Sequence, residues 1–379
     1  MTDEGTAKKI GIDIRLWNET GIGRYIRNLI FELAKIEYKH KYVLFARPDD
    51  IAEIKSLQHI SAAKDKFIII PIDMKWHSIQ EQLEFPRILM KYKLNLMHFP
   101  YFSVPVFYRK PFVVTVHDLI INHFPTGRAT TLPLPLYTLK RAGYELILKS
   151  AISGAKKIIV PSEATRRELV DHYKVKQEKI IITQEGIDER INSFTPVVFK
   201  EKDPYFLYVG NVYPHKNIEA LLEAFKLFLV AHPDIVIKLV GKEDYFYRRL
   251  RAYVAKHKIP RVEFMGYVDD AKLSNLYSNA IATVIPSLME GFGLTALEAM
   301  SRKSLVVASK IPALQEVCGK NAIYFDPSDI LNIVEAMNTS VSLSKGDKEK
   351  RLNDAKKHSE IFTWEKMARQ TIAVYDSCL

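Results

Sequence analysis

The stretch Tyr205–Val240, YFLYVGNVYPHKNIEALLEAFKLFLVAHPDIVIKLV, decides the architecture of this chain. YFLYV is a short, two-sided apolar run that stops at Gly210, as a strand covered on both faces does. A loop follows, and then Ile218, Leu221, Leu222, Phe225 and Leu229 recur at the 3.6-residue period of an amphipathic helix, with Asn217 placed as its cap. VIKLV, at Val236–Val240, reads as the next strand. Strand, helix, strand in this order is the repeating unit of a doubly wound α/β sheet.

The same alternation extends in both directions. Upstream, the candidate strands are Lys9–Ile14, Tyr42–Ala46, Phe67–Ile70, Leu96–Phe99, Phe112–His117, Lys157–Val160 and Ile180–Thr183. Downstream they are Val262–Met265, Ile281–Ile285, Leu305–Ala308 and Ala322–Phe325. The polar, aperiodic segment Asn192–Pro204 separates two halves. The expected organisation is a Rossmann-like domain over 1–195, a second over 196–361, and a cleft between them where ligands would sit. Residues 362–379 form one amphipathic helix, with Trp364, Ala368, Ile372 and Tyr375 on a face. Ser340–Lys350 is read as an exposed turn.

Composition narrows the function. The chain has 379 residues, 47% hydrophobic and 26% charged, enough for packed cores and a solvated surface. The two cysteines, Cys318 and Cys378, are too few for a disulfide framework and fit a reducing compartment. The longest apolar runs are strand-sized, so a soluble, cytoplasmic protein is expected. The net charge is +11. Residues 1–200 hold 31 basic and 22 acidic side chains, and 201–379 hold 24 and 22, so the excess lies in the first half. Nucleic acid, an anionic membrane and phosphorylated substrates are all compatible with such a balance.

Four segments carry candidate chemistry. In Pro286–Met300, PSLMEGFGLTALEAM, a strand runs into a glycine loop and a helix opens near Leu294. Gly291 and Gly293 permit close backbone approach, and the helix start offers N–H groups and a dipole to an anion. Glu290 and Glu298 flank this site, where carboxylates can hold the hydroxyls of a sugar. A glycine-rich turn with a capping glutamate has the same spacing. In the opening stretch, Lys216 follows the strand end at Gly210 and suits a diphosphate whose charge must be neutralised; a solvated loop lysine is the plainer reading. Gly11–Tyr25, GIDIRLWNETGIGRY, repeats the strand–glycine–helix pattern, but its third glycine position is Ile26, so it is not a dinucleotide fingerprint. In TVHDL, His117 ends a strand and either faces the cleft or is a structural, hydrogen-bonded histidine. No HExxH, DxD, GxSxG or P-loop occurs, and Asp269-Asp270 read as a helix cap.

Together, EGFGLTALE, VGNVYPHKN, TGIGRY, VHDL and the closing TWEKMARQTIAVY resemble the retaining glycosyltransferases of family 4, which have the GT-B fold. TGIGRY with HSIQEQLEFP and HDL is similar to bacterial mannosyltransferases of surface-polysaccharide assembly. The resemblance implies two Rossmann-like domains facing a cleft, with the terminal helix crossing back onto the first. It implies transfer of a sugar, most readily mannose from GDP-mannose, to a saccharide or polyprenyl-diphosphate-linked acceptor. No cofactor and no metal is implied, since the nucleotide sugar is the substrate.

By the same resemblance, Glu290 faces the donor sugar, and Gly291, Phe292, Gly293 and Leu294 hold it and the diphosphate. Glu298 binds the ribose, Lys216 neutralises the leaving diphosphate and His117 lines the sugar pocket. Gly23 lets the first-domain loop close over the phosphates, and the base lies near Gly266-Tyr267-Val268. Many members carry an arginine directly after the strand glycine Gly210, where this chain has Asn211. Another basic residue, such as Arg15 or Arg24, would then have to complete the clamp. A GT-B epimerase or phosphorylase shares this architecture, and a basic nucleic-acid-binding protein is the reading from another class; the sequence lacks a module for it, so no nucleic-acid partner is expected. The basic first half, with Lys140-Arg141, Lys149, Lys156-Lys157 and Arg166-Arg167, suits either solvated helix faces or contact with the inner face of an anionic membrane.

Overall fold

The computed structural model describes residues 7–36, 40–124, 134–188, 194 and 203–379. Among the described residues thirteen strands form, each where an apolar run predicted one. The first seven are β1 (Lys9–Asp13), β2 (Lys41–Ala46), β3 (Phe67–Pro71), β4 (Leu96–Phe99), β5 (Phe112–Thr115), β6 (Lys157–Val160) and β7 (Ile180–Ile182). They make one parallel sheet in the order β3-β2-β1-β4-β5-β6-β7. The others are β8 (Tyr205–Val209), β9 (Val236–Val240), β10 (Val262–Gly266), β11 (Ala282–Ile285), β12 (Val306–Ser309) and β13 (Ala322–Phe325). Their sheet, also parallel, runs β10-β9-β8-β11-β12-β13. The doubly wound α/β expectation holds in both halves.

Two-sided burial explains the uninterrupted apolar runs. In the second sheet Phe206, Ile237 and Val307 point into one core, while their neighbours Leu207, Val236 and Val306 point into the opposite one. Period-two side-chain alternation places both sets in helix-covered layers. Each sheet reverses its direction of growth beside its founding strand, between β1 and β4 and between β8 and β11. Loops leaving the carboxyl ends of such paired strands enclose the binding crevice of an open α/β sheet.

The chain forms two units. The described residues of Met1–Leu119, Leu132–Glu185 and Trp364–Leu379 belong to the first, and those of Ile120–Thr131 and Gly186–Thr363 to the second. Most of the expected break at Asn192–Pro204 lies outside the described residues. The closing helix, Trp364–Cys378, packs in the first unit with Trp364, Ala368, Ile372 and Tyr375 buried. Tyr375 Oη lies 2.6 Å from His98 Nδ1, whose Nε2 lies 2.8 Å from Thr115 Oγ1, and Thr115 reaches Tyr25 Oη at 3.3 Å. Burial pushes the His98 imidazole down to about 3, with His117 adding to the effect, so this relay contains a neutral ring.

Two local expectations need correction. Asn217 precedes the Ile218–Phe228 helix, but its side chain does not cap it. The residue is left-handed, at φ 58°, and donates instead to Pro327 O at 2.8 Å. Ser340–Lys350 is not one exposed turn: helices Ile330–Ser342 and Lys345–Ser359 occupy most of it, and Ser344 caps the second by accepting from Asp347 N. The Asp269 cap does form, accepting from Lys272 N at 2.8 Å. Cys318 and Cys378 are free and buried. Among the described residues, no helix is long and apolar enough to cross a membrane.

Candidate active site

In the second unit the switch point brings the loops after β8 and β11 together. The chain leaves β8 at Gly210, whose φ of +146° is open to glycine at little cost. A Cβ on Gly241, at the end of β9, would lie 2.3 Å from Gly210 O, so the two strand ends abut here only because residue 241 is glycine. A short 3-10 turn, Pro214–Lys216, follows. Leu288 N donates to His215 O at 2.8 Å and stitches this turn to the loop from β11.

That stitch sets an ion pair. Lys216 Nζ lies 2.7 Å from Glu290 Oε1, and Ser287 Oγ donates to the same oxygen at 2.6 Å. Burial opposes the charge on Glu290, but Lys216, Ser287 and His215 outweigh it and hold the carboxyl below its usual range. Burial, with Lys216 adding to it, pushes His215 down to about 4. The result is one carboxylate and one ammonium at the mouth of the crevice beside an uncharged imidazole. Ser287 was not singled out from the sequence; a hydroxyl three residues before a loop glutamate is the pattern that could have marked it.

The glycine loop then turns into the Leu294–Ser301 helix through Gly293, at φ +117°. Ala296 N and Leu297 N donate to Gly293 O at 2.9 and 3.2 Å, so it is the N–H groups before them that the helix start turns toward an anion. Phe292 is buried with its ring edge-on to Phe362 at 5.9 Å, so its side chain anchors the loop and leaves the backbone to meet a ligand. Glu298 is only 3% exposed, and its Oε2 accepts from Tyr277 Oη at 2.9 Å. Val268 is buried beside the left-handed Gly266, whose N–H reaches Tyr247 Oη at 3.2 Å. Asn211 is exposed, and its carbonyl accepts from Tyr208 Oη. Thus Lys216, Glu290, Gly210, Asn211, Val268, Gly291, Phe292, Gly293, Leu294 and Glu298 all belong to this unit.

His117 and Gly23 belong to the first unit. His117 Nε2 faces Pro100 O at 3.0 Å and Nδ1 faces Glu185 Oε1 at 3.2 Å, while its ring stands edge-on to Tyr25 at 4.8 Å. Each ring nitrogen therefore faces an oxygen within the first unit. Gly23 sits inside the Gly21–Lys35 helix where a Cβ would meet Trp17 O at 2.5 Å and Leu16 O at 2.8 Å. Arg15, considered for the phosphate clamp, is committed elsewhere. It is buried, and its Nη2 lies 2.6 Å from both Asp13 Oδ2 and Glu81 Oε1.

Comparison with known proteins identifies the family and the fold. The family described as Glycosyltransferase Family 4 matches residues 20–190, and Glycosyl transferases group 1 matches residues 189–359. The chain is 28% identical over 380 residues to O-antigen chain mannosyltransferase B of Escherichia coli, covering 94% of this chain and 96% of that one. It is 28% identical over 244 residues to O-antigen chain mannosyltransferase RfbU of Salmonella typhimurium, a match that spans 64% of each. Its backbone superposes on sucrose-phosphate synthase from Thermosynechococcus elongatus with a TM-score of 0.76, at 21% identity over 98% of both chains.

Proposed function

Since the chain belongs to the family 4 glycosyltransferases and has their GT-B fold, we propose that it moves mannose from GDP-mannose to a saccharide or lipid-linked saccharide, retaining the anomeric configuration. The observation that carries this reading is the Lys216–Glu290 pair at the switch point, 2.7 Å apart beside the glycine-opened helix. A departing nucleoside diphosphate needs positive charge where its oxygens gain negative charge, and Lys216 with the helix terminus supplies it. In the ligand-free pair Lys216 neutralises Glu290. An arriving diphosphate competes for the ammonium and releases the carboxylate toward the sugar hydroxyls. Donor binding and the arming of Glu290 are then one event.

A thermal-shift screen against GDP-, UDP- and ADP-sugars tests the donor, because a ligand that binds only the folded state raises the melting temperature. GDP-mannose should give the largest shift. A larger shift from a UDP- or ADP-sugar would replace the donor. No shift with any of them would overturn nucleotide-sugar dependence and favour a phosphorylase.

The acceptor reading extends to a membrane surface. Of the basic clusters in the first half, Arg166 and Arg167 both pair with Glu163, Lys149 with Glu145, and Lys156 and Lys157 bond backbone carbonyls. Lys140 and Arg141 lie instead on the Leu134–Gly154 helix with Leu139, 71% exposed, and Leu146, 59% exposed. Apolar side chains flanked by basic ones suit the headgroup region of an anionic bilayer. Co-sedimentation should rise with the fraction of anionic lipid and fall with salt; binding indifferent to both would count against it.

A further inference from the structure

Beside the turn that carries Lys216 the second unit holds a cavity of about 250 Å³, and none of its lining side chains has a place in the donor reading. Its walls are aromatic. Tyr213, from the loop leaving β8, meets Phe246, from the first turn of the Tyr245–Lys256 helix, edge-on with ring centroids 4.8 Å apart. Ile218 and Leu250, both buried, extend the apolar lining. Pro214 and Leu288 complete it and tie it to the Lys216–Glu290 pair. Pro214 opens the turn that ends at Lys216, and Leu288 N bonds His215 O within that turn.

Two charges stand on this apolar lining. Arg249 follows Phe246 by three residues on the same helix face, and Glu219 comes from the first turn of the Ile218–Phe228 helix. Both are exposed, and among the described residues neither forms an ion pair. Arg251 and Glu243, close by in sequence, pair with each other at 3.5 Å, so the unpaired state of Arg249 and Glu219 is particular to the cavity. A cation and an anion that line one cavity without neutralising each other can take the two ends of a zwitterion. The volume sets the apolar part of such a ligand. An apolar cavity of about 150 Å³ takes up one benzene ring, so this one has room for a bicyclic ring with its polar tail at the charged residues.

We infer that this cavity binds a free aromatic α-amino acid, tryptophan best. The indole packs against Tyr213 and Phe246. Its carboxylate takes the planar fork of Arg249, and its ammonium goes to Glu219. Contacts between exposed charges contribute little each. The ring therefore supplies most of the affinity, and the charges choose among ligands that share it. A ligand seated here packs on Tyr213 and Pro214, and so on the turn that ends at Lys216. Its binding does not depend on which nucleotide sugar the crevice takes.

Saturation-transfer NMR with L-tryptophan, tryptamine, indole-3-acetate and L-lysine reads each part of the ligand. Tryptophan should receive saturation from the protein and lysine none. Tryptamine, which lacks the carboxylate, and indole-3-acetate, which lacks the ammonium, should each bind about threefold more weakly than tryptophan. Arg249→Ala, at an exposed position, should erase the advantage over tryptamine. Phe246→Ala should weaken tryptophan about tenfold. GDP, UDP and ADP, added together in excess, should leave the tryptophan signal in place. No transfer to tryptophan, a signal unchanged in both variants, or a signal removed by the nucleotides overturns the assignment. An equal Kd for the three indole compounds overturns it as well.

Discussion

Replacing Lys216 with alanine should lower donor-dependent nucleotide release by about 10²–10³-fold, the usual effect of removing one preorganised charge-stabilising group. The size follows from where the ammonium sits. It is held 2.7 Å from Glu290 on a turn fixed by Pro214 and by the Leu288–His215 hydrogen bond, so little reorganisation is needed when charge develops nearby. The variant also leaves Glu290 with Ser287 as its remaining side-chain donor among those bonded to it here. Part of the effect will therefore appear as stability, because an uncompensated, mostly buried carboxylate is destabilising. Initial rates of GDP release, paired with melting temperatures, separate the two. A variant that folds and turns over within a few-fold of the parent would remove Lys216 from the mechanism. Arginine is not an equivalent replacement, since its planar fork cannot occupy the point position of an ammonium.

Gly23→Ala should cost about 1–3 kcal/mol of stability, the range for forcing extra volume into a packed site. The added Cβ would lie 2.5 Å from Trp17 O and 2.8 Å from Leu16 O, both backbone atoms of the loop leaving β1. Neither can rotate away as a side chain could, so the loop or the helix start must move. Gly21→Ala, two residues earlier, meets nothing within 4 Å and should be neutral or slightly stabilising. Calorimetry on the pair reads the difference; equal melting temperatures would mean that the loop accommodates the methyl group freely.

The strands were legible because parallel sheets covered on both faces leave compact apolar runs, and every such run became a strand. The loops were legible only in part. Glu290 and Lys216 could each be nominated from residue type and position, but not their pairing, which depends on β8 and β11 being neighbours although β9 and β10 intervene in sequence. Asn217 looked like a cap because its residue type suits one; the left-handed backbone sends its amide to Pro327 instead. Arg15 looked available to a phosphate because the sequence shows its charge and not its partners. Its two carboxylates come from Asp13, two residues away, and from Glu81, 66 residues away. The serine–glutamate spacing of Ser78 and Glu81 marks a helix start, yet nothing local reveals that this glutamate also holds an arginine from another loop.

The Tyr25–Thr115–His98–Tyr375 relay has a consequence for the order of synthesis. Three of its members emerge early and the fourth comes only after the whole second unit has been made. Domains on the ribosome ordinarily fold in the order in which they appear. Here the half begun first is completed last, for until Trp364–Cys378 emerges His98 on β4 lacks Tyr375 and the Tyr25 ring lacks Trp364. Translation cut short before that helix would leave the later half finished and the earlier one open. The Trp364–Cys378 helix thus ties closure of the first unit to translation of the whole second unit.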